Sequence, residues 1–194
     1  MNDARAWTRA ALICSLWGAL ELSVGSVLHL SRLPLTGLVM AAIGLACLLT
    51  LRRLSPLPGV CLVAGGVAVV VKVFGIGGLF PGPLIGIAAE ALLVELALSV
   101  LPRGATAAVA AGALVFLWGP VQKLAMTRIV AGRDTIEAAV ALAGRTLSAV
   151  GLDGVGVGWA VGGMAALLAA AGGVVGWAAW RLGGRVAVRV GAER

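Results

Sequence analysis

Six ionisable residues fall inside or at the rim of apolar stretches: Glu21, His29, Lys72, Glu90, Glu95 and Lys123. Such a group costs on the order of 3 kcal/mol to place in hydrocarbon and usually faces a bundle interior or a watery cavity. Lys72 follows Gly65 by seven positions and Ala68 by four, so the three share one helix face, with Gly65 and Lys72 offset by about 20°. A face of small residues lets a neighbouring helix come close and give the ammonium a partner. Lys72 and Glu90 stand on consecutive apolar runs joined by a short loop, which puts them at similar depth. Two readings are open for them: the polar floor of a ligand site, or a buried ion pair that fixes helix register. Glu95 lies five positions beyond Glu90 and points about 140° away, so the two cannot look into one pocket.

His29, beside Ser26 and above Glu21, is either a substrate contact or an interfacial histidine bonded to water or headgroups. Residues 80–86, Phe-Pro-Gly-Pro-Leu-Ile-Gly, place free backbone donors at a helix N-terminus. Gly82 in this segment is suited to meet a carboxylate or phosphate, although the same residues make an ordinary tight turn. Cys14, Cys47 and Cys61 have no CxxC spacing and sit in apolar stretches, as buried small hydrophobes do. One histidine and scattered thiols offer no metal cluster. No phosphate-binding loop, nucleophile elbow or zinc-protease motif occurs, so neither enzymatic activity nor a cofactor is expected.

The elements that must position these groups follow from composition. Of 194 residues, 61% are hydrophobic and 12% charged, and the mean hydropathy is +1.08. A soluble domain carries about twice that charged fraction. The chain therefore reads as an all-α integral membrane protein, a compact single domain (1–194) of about six transmembrane helices, since each span takes roughly 20 residues. The apolar runs are too long, and lack the alternation, for a membrane barrel. Spans are expected at 10–30, 35–51, 57–79, 83–101, 105–127 and 157–180, bounded by prolines, glycines or charges. Gly119 and Pro120 should bend or break the fifth span before Gln122. Residues 134–150 mix apolar and charged positions and suit an amphipathic surface or re-entrant helix.

A net charge of +7 would suggest nucleic acid in a soluble protein, but here most positive residues encode topology and no nucleic-acid partner is expected. Nine Lys and Arg residues flank one side of the predicted spans against four on the other, which places both termini in the cytoplasm of a multi-pass inner or plasma membrane protein. Arg5 and Arg9 precede an apolar run like a signal peptide, yet Glu21 interrupts it and no clean cleavage site follows, so the first helix is expected to be retained. That helix carries a stripe of small residues, Ala11, Ser15 and Gly18 or Ala19, continuing at Gly25. A spacing of four lets a partner backbone approach. The sixth span has two GxxxG runs, 158–162 and 172–176, expected to pack within the chain.

Six short spans, termini inside, the helix-one stripe at Ala11, Ser15 and Ala19, a Pro- and Gly-rich outer turn and no nucleotide site resemble the substrate-binding S components of energy-coupling factor (ECF) transporters. The stretch from Glu21-Leu22-Ser23-Val24-Gly25-Ser26 through Gly82-Pro83-Leu84-Ile85-Gly86 to Glu90 carries the resemblance. It departs from the family in having Ser15 where alanine is commonest, and it shows no vitamin-specific signature. The resemblance implies that Ala11, Ser15 and Ala19 dock a membrane coupling subunit, that cytoplasmic ATPase subunits supply the energy, and that a small water-soluble vitamin or cofactor precursor binds at the outer half of a bundle surrounded by membrane lipids. On that basis Lys72 and the 81–86 turn would hold an anionic group of the substrate, with Glu21, His29 and Glu90 as polar contacts. Two rival readings stand beside it: a membrane scaffold or assembly subunit, and a carrier component for a polyprenyl-type lipid precursor.

Overall fold

The computed structural model describes residues 2–30, 36–74, 81–102, 104–131 and 156–192, with Glu137 and Val140. Among them are six helices and no strand: α1 (Asn2–Leu30), α2 (Thr36–Leu54), α3 (Val60–Val73), α4 (Pro81–Val100), α5 (Ala105–Ala131) and α6 (Val157–Ala192). Five are long and apolar enough to cross a membrane, and α3 is a shorter apolar helix of 14 residues. At 1.5 Å per residue α3 rises about 21 Å, against the roughly 30 Å of a hydrocarbon core. The expected amphipathic segment at 134–150 lies outside the described residues, apart from Glu137 and Val140.

Three boundaries differ from those expected. α1 begins at Asn2, so Arg5 and Arg9 lie on the helix instead of ahead of it. Its first turns are anchored by the Ser55 hydroxyl, which donates to the Ala6 carbonyl at 2.6 Å. α5 runs through Pro120 without ending. Proline removes one backbone donor and crowds the carbonyl four residues earlier, and a long apolar helix with packed neighbours tolerates both. α6 continues twelve residues past the expected end at 180, to a length of 36 residues. Its extension is held because Gly183 lies against Thr50 and Gly184 against Arg53 of α2, while Arg189 in the last turn suits the negative end of the helix dipole.

Helix α2 is the centre of the bundle. It packs against every other helix, while neighbours follow one another around it in the order α1, α3, α4, α5, α6. Its Leu45, Leu48, Leu49 and Leu51 are fully buried, beside Trp17 of α1, Val60 and Ala64 of α3, Val94 and Leu98 of α4, and Ala107, Ala108 and Ala111 of α5. Large apolar side chains such as Leu12, Val70, Leu92, Leu124 and Leu167 point outward, as lipid-facing residues do.

Small residues set the closest approaches. Gly65 of α3 meets Ala91 of α4. Gly112 of α5 lies against Gly172 and Gly176 of α6, backbone on backbone. The second GxxxG run thus serves packing within the chain, as the sequence suggests, whereas Gly158 and Gly162 have open space around them. At the end of the bundle where α2 finishes, the Arg53 guanidinium stacks 3.8 Å from the Trp180 ring, and Arg181 lies 4.4 Å from that of Trp177.

Candidate functional site

The buried charges form two groups. The first joins α2, α3 and α4. Arg52 in the last turn of α2 meets Glu95 of α4, Nη1 to Oε1 at 3.2 Å, with both side chains buried. Arg52 also donates to the Leu57 carbonyl. The Glu95 carboxylate receives the Gly59 amide at 2.8 Å and the Cys61 amide at 3.1 Å. It therefore caps the first turn of α3, whose preceding residue Gly59 sits at φ +76, a conformation that glycine adopts without strain. Five residues from Glu90 and facing another way, Glu95 is a packing element, in keeping with the angle between them.

The second group is the candidate site. Gly65, Ala68 and Lys72 are buried together on α3, which realises the small-residue face read from their spacing. The partner this face provides is Glu21 of α1, not Glu90. Lys72 Nζ lies 3.1 Å from Glu21 Oε2 and donates to the Glu21 carbonyl at 2.9 Å. Gly25 makes room for the pair: a Cβ there would lie 3.0 Å from Nζ and 3.4 Å from Cε of Met40 on α2. Lys72 occupies the last turn of α3, two residues before Phe74. Its charge is already neutralised inside the protein, which leaves less of it for an anionic ligand.

Glu90 stands beside this pair without joining it. Its carboxyl is pressed against α2 at Gly44, where a Cβ would come within 2.5 Å of Oε1 and 2.8 Å of Oε2. Gly44 is one turn from Met40, so about 6 Å of helix rise separates the parts of α2 that face Glu90 and the ion pair. Glu90 and Glu21 lie within electrostatic reach of one another, and Cys47 feels both. Glu90 Oε1 has no hydrogen-bond partner, and the indole N–H groups of Trp17 and Trp118 are the other unpartnered buried side-chain atoms among the described residues.

The remaining expected site residues are more scattered. His29 belongs to the last turn of α1, and its side chain lies outside the described residues. Gly82 is in the first turn of α4, where its carbonyl accepts a hydrogen bond from Gln122 Nε2 on α5; Gln122 also lies beside Gly86. Gln122 is expected just past a bend or break within the fifth span, and the continuity of α5 through Pro120 carries it to α4. Gln122→Leu should cost about 1 kcal/mol, the net worth of one such bond, as a lowered midpoint in thermal unfolding of the detergent-solubilised protein. Lys123, one residue on, is exposed.

The helix-one stripe faces outward. Ala11, Ser15 and Ala19 are all exposed, flanked by Leu12 and Leu16. The Ser15 hydroxyl donates to the Ala11 carbonyl at 2.9 Å and that of Ser23 to the Ala19 carbonyl at 2.7 Å. Both hydroxyls are thus satisfied within the helix and need no water. All three cysteines are free thiols, Cys14 and Cys61 buried and Cys47 partly so. Among the described residues no three His, Cys, Asp or Glu side chains group as metal ligands do. No protein-family model, curated protein or solved structure matches the chain.

Proposed function

We propose that the protein is the substrate-binding subunit of an ECF-type uptake transporter for a small water-soluble vitamin or cofactor precursor, energised by partner ATPases. In this reading it is a six-span protein of the inner or plasma membrane with both termini in the cytoplasm. The observation that carries the reading is the contrast between two sets of small residues. Gly172 and Gly176 of α6 are consumed by packing against α5, whereas Ala11, Ser15 and Ala19 of α1 line an exposed strip with their polar atoms satisfied. A strip of that kind is suited to close approach by a helix of another membrane subunit. The ligand would sit where Glu21, Lys72 and Glu90 converge among α1 to α4, with His29 and Gly82 as further contacts toward the end where α4 begins.

Ser15→Phe tests the docking half. The phenyl group adds bulk to an exposed position, so the folded yield and melting temperature should stay at wild-type values while uptake falls at least tenfold and a coupling subunit no longer co-purifies. Unchanged uptake by a folded Ser15→Phe protein would count decisively against the coupling role. A second reading, a membrane scaffold subunit, is favoured by the closed Lys72–Glu21 pair, which could act as helix glue alone. Under it the protein would co-purify with other subunits yet bind no soluble nutrient.

A further inference from the structure

The buried charged residues among those described are Glu21, Arg52, Lys72, Glu90 and Glu95: three carboxyls and two cationic groups. Arg52 belongs to Glu95, at 3.2 Å, and Lys72 to Glu21, at 3.1 Å. The acid left over is Glu90, which is 6% exposed and has an oxygen without a partner. Elsewhere on the described helices Arg53, Lys123, Arg128, Arg181, Arg185 and Arg189 are exposed and Arg9 is half-buried. Among the described residues, therefore, one buried carboxyl, that of Glu90, has no cationic partner: the Leu45 amide reaches it, and Oε1 is left without a hydrogen bond.

An unpartnered acceptor in a low-dielectric interior is costly, and it is relieved by a group that brings both charge and a hydrogen-bond donor. Gly44 shapes this position, because any side chain there would occupy the space that the carboxyl fills. The neighbouring ammonium of Lys72 cannot supply the missing charge: two contacts to Glu21, one to its carboxylate and one to its carbonyl, hold it on α1. A cation with an N–H donor suits this carboxyl, whereas the sequence leads one to expect an anion at the site.

We infer that Glu90 accepts a positive charge carried by the ligand, so that the substrate class is small organic monocations bearing an amine, amidine or ring-nitrogen cation. This inference rests on the substrate-binding reading and deepens it. The test uses the full-length protein purified in detergent. Its melting temperature is followed against the chlorides of methylammonium, acetamidinium and imidazolium, with sodium chloride as the control at equal ionic strength and sodium acetate and benzoate as the anionic counterparts. A ligand that binds only the folded state raises the melting temperature in a saturable way. A saturable rise of a few degrees is expected with at least one organic cation, absent with sodium chloride and the carboxylates, and lost in Glu90→Gln.

If Glu90→Gln fails to fold, Gly44→Ala takes its place, because the added methyl must displace the carboxyl and should weaken the cation effect at least tenfold in half-saturating concentration. A rise with the carboxylates but not with the cations overturns the cation assignment and leaves the substrate-binding reading standing. A cation effect that persists unchanged in the folded Glu90→Gln protein overturns the role of Glu90. No effect from any of the five organic ions overturns the inference, and co-purification of a coupling subunit that is lost in Ser15→Phe would then locate the failure in the ligand chemistry and not in the transporter reading.

Discussion

Gly172→Val should abolish the folded protein or lower its stability by about 3 kcal/mol or more, at or above the upper end of what overpacking a tight interior costs. The reason is what the new atoms would meet. A Cβ on Gly172 would fall on the Gly112 carbonyl and lie 2.8 Å from Cβ of Phe116. Most of these obstacles are main-chain atoms of another helix, which cannot rotate aside as a flexible side chain can. The two helices would have to separate, and with them the alanine layer of Ala107, Ala108 and Ala111 would open. Gly158→Val is the matched control: it lies on the same helix, in an equivalent GxxxG run, with open space around it. It should be expressed and melt like wild type. Size-exclusion profiles and thermal unfolding in detergent measure both, and equal behaviour of the two variants would refute the crossing described for α5 and α6.

Arg52→Met should cost about 3–5 kcal/mol, the usual result of removing one partner from a buried ion pair and leaving the other charge uncompensated. Glu95 keeps the Gly59 and Cys61 amides in this variant, so α3 should retain its first turn. Replacing Glu95 by Leu removes the cap and strands Arg52 together, and should be at least as harmful. The double replacement, Arg52→Met with Glu95→Leu, should recover part of the loss, since an apolar pair of similar volume carries no desolvation penalty. Arg53→Met, the adjacent residue, should change stability by about 1 kcal/mol or less, because its guanidinium is exposed and contributes a surface cation–π contact with Trp180. Chemical or thermal unfolding of the four proteins under one detergent condition separates these outcomes.

The contrast between Arg52 and Arg53 shows where the sequence was readable and where it was not. Both read as positive residues closing a span, and Arg53 fits that reading. Nothing local marks Arg52 as a core residue, because its partner is 43 positions away on α4. The same limit applies to Lys72. Its small-residue face and need for a partner were legible in the spacing of Gly65 and Ala68. Glu21, 51 residues earlier on α1, could be identified only once α1 was placed beside α3. Angles within a helix carried further: the divergence of Glu90 and Glu95 follows from their spacing alone and holds in the structure.

Element boundaries are legible where proline falls between helices, as at Pro56 and Pro58, or opens one, as Pro81 does α4. They were misread where packing overrides the local signal. α5 stays helical through Pro120, where a bend or break is expected, and α6 runs past 180 because α2 provides a surface against which Gly183 and Gly184 fit. The small-residue runs could be found in the sequence, but not which of them would be used internally. Gly158 and Gly172 open runs of the same pattern and differ only in what stands opposite.

The glycine crossing between α5 and α6 also bears on motion. Side chains at a helix contact can change rotamer and let the helices slide, so most packed interfaces contain some play. Where Gly112, Gly172 and Gly176 meet, backbone touches backbone and there is no rotamer to change. The α5–α6 pair should therefore behave as one stiff strut, with amide hydrogen exchange slowest around these glycines. Movement that opens a path to Glu90 must then come from the other side of α2, where α1 meets α3 through Val71 over Gly18. α1, with its exposed Ala11, Ser15 and Ala19, would be the moving part, and the strut the frame against which it moves.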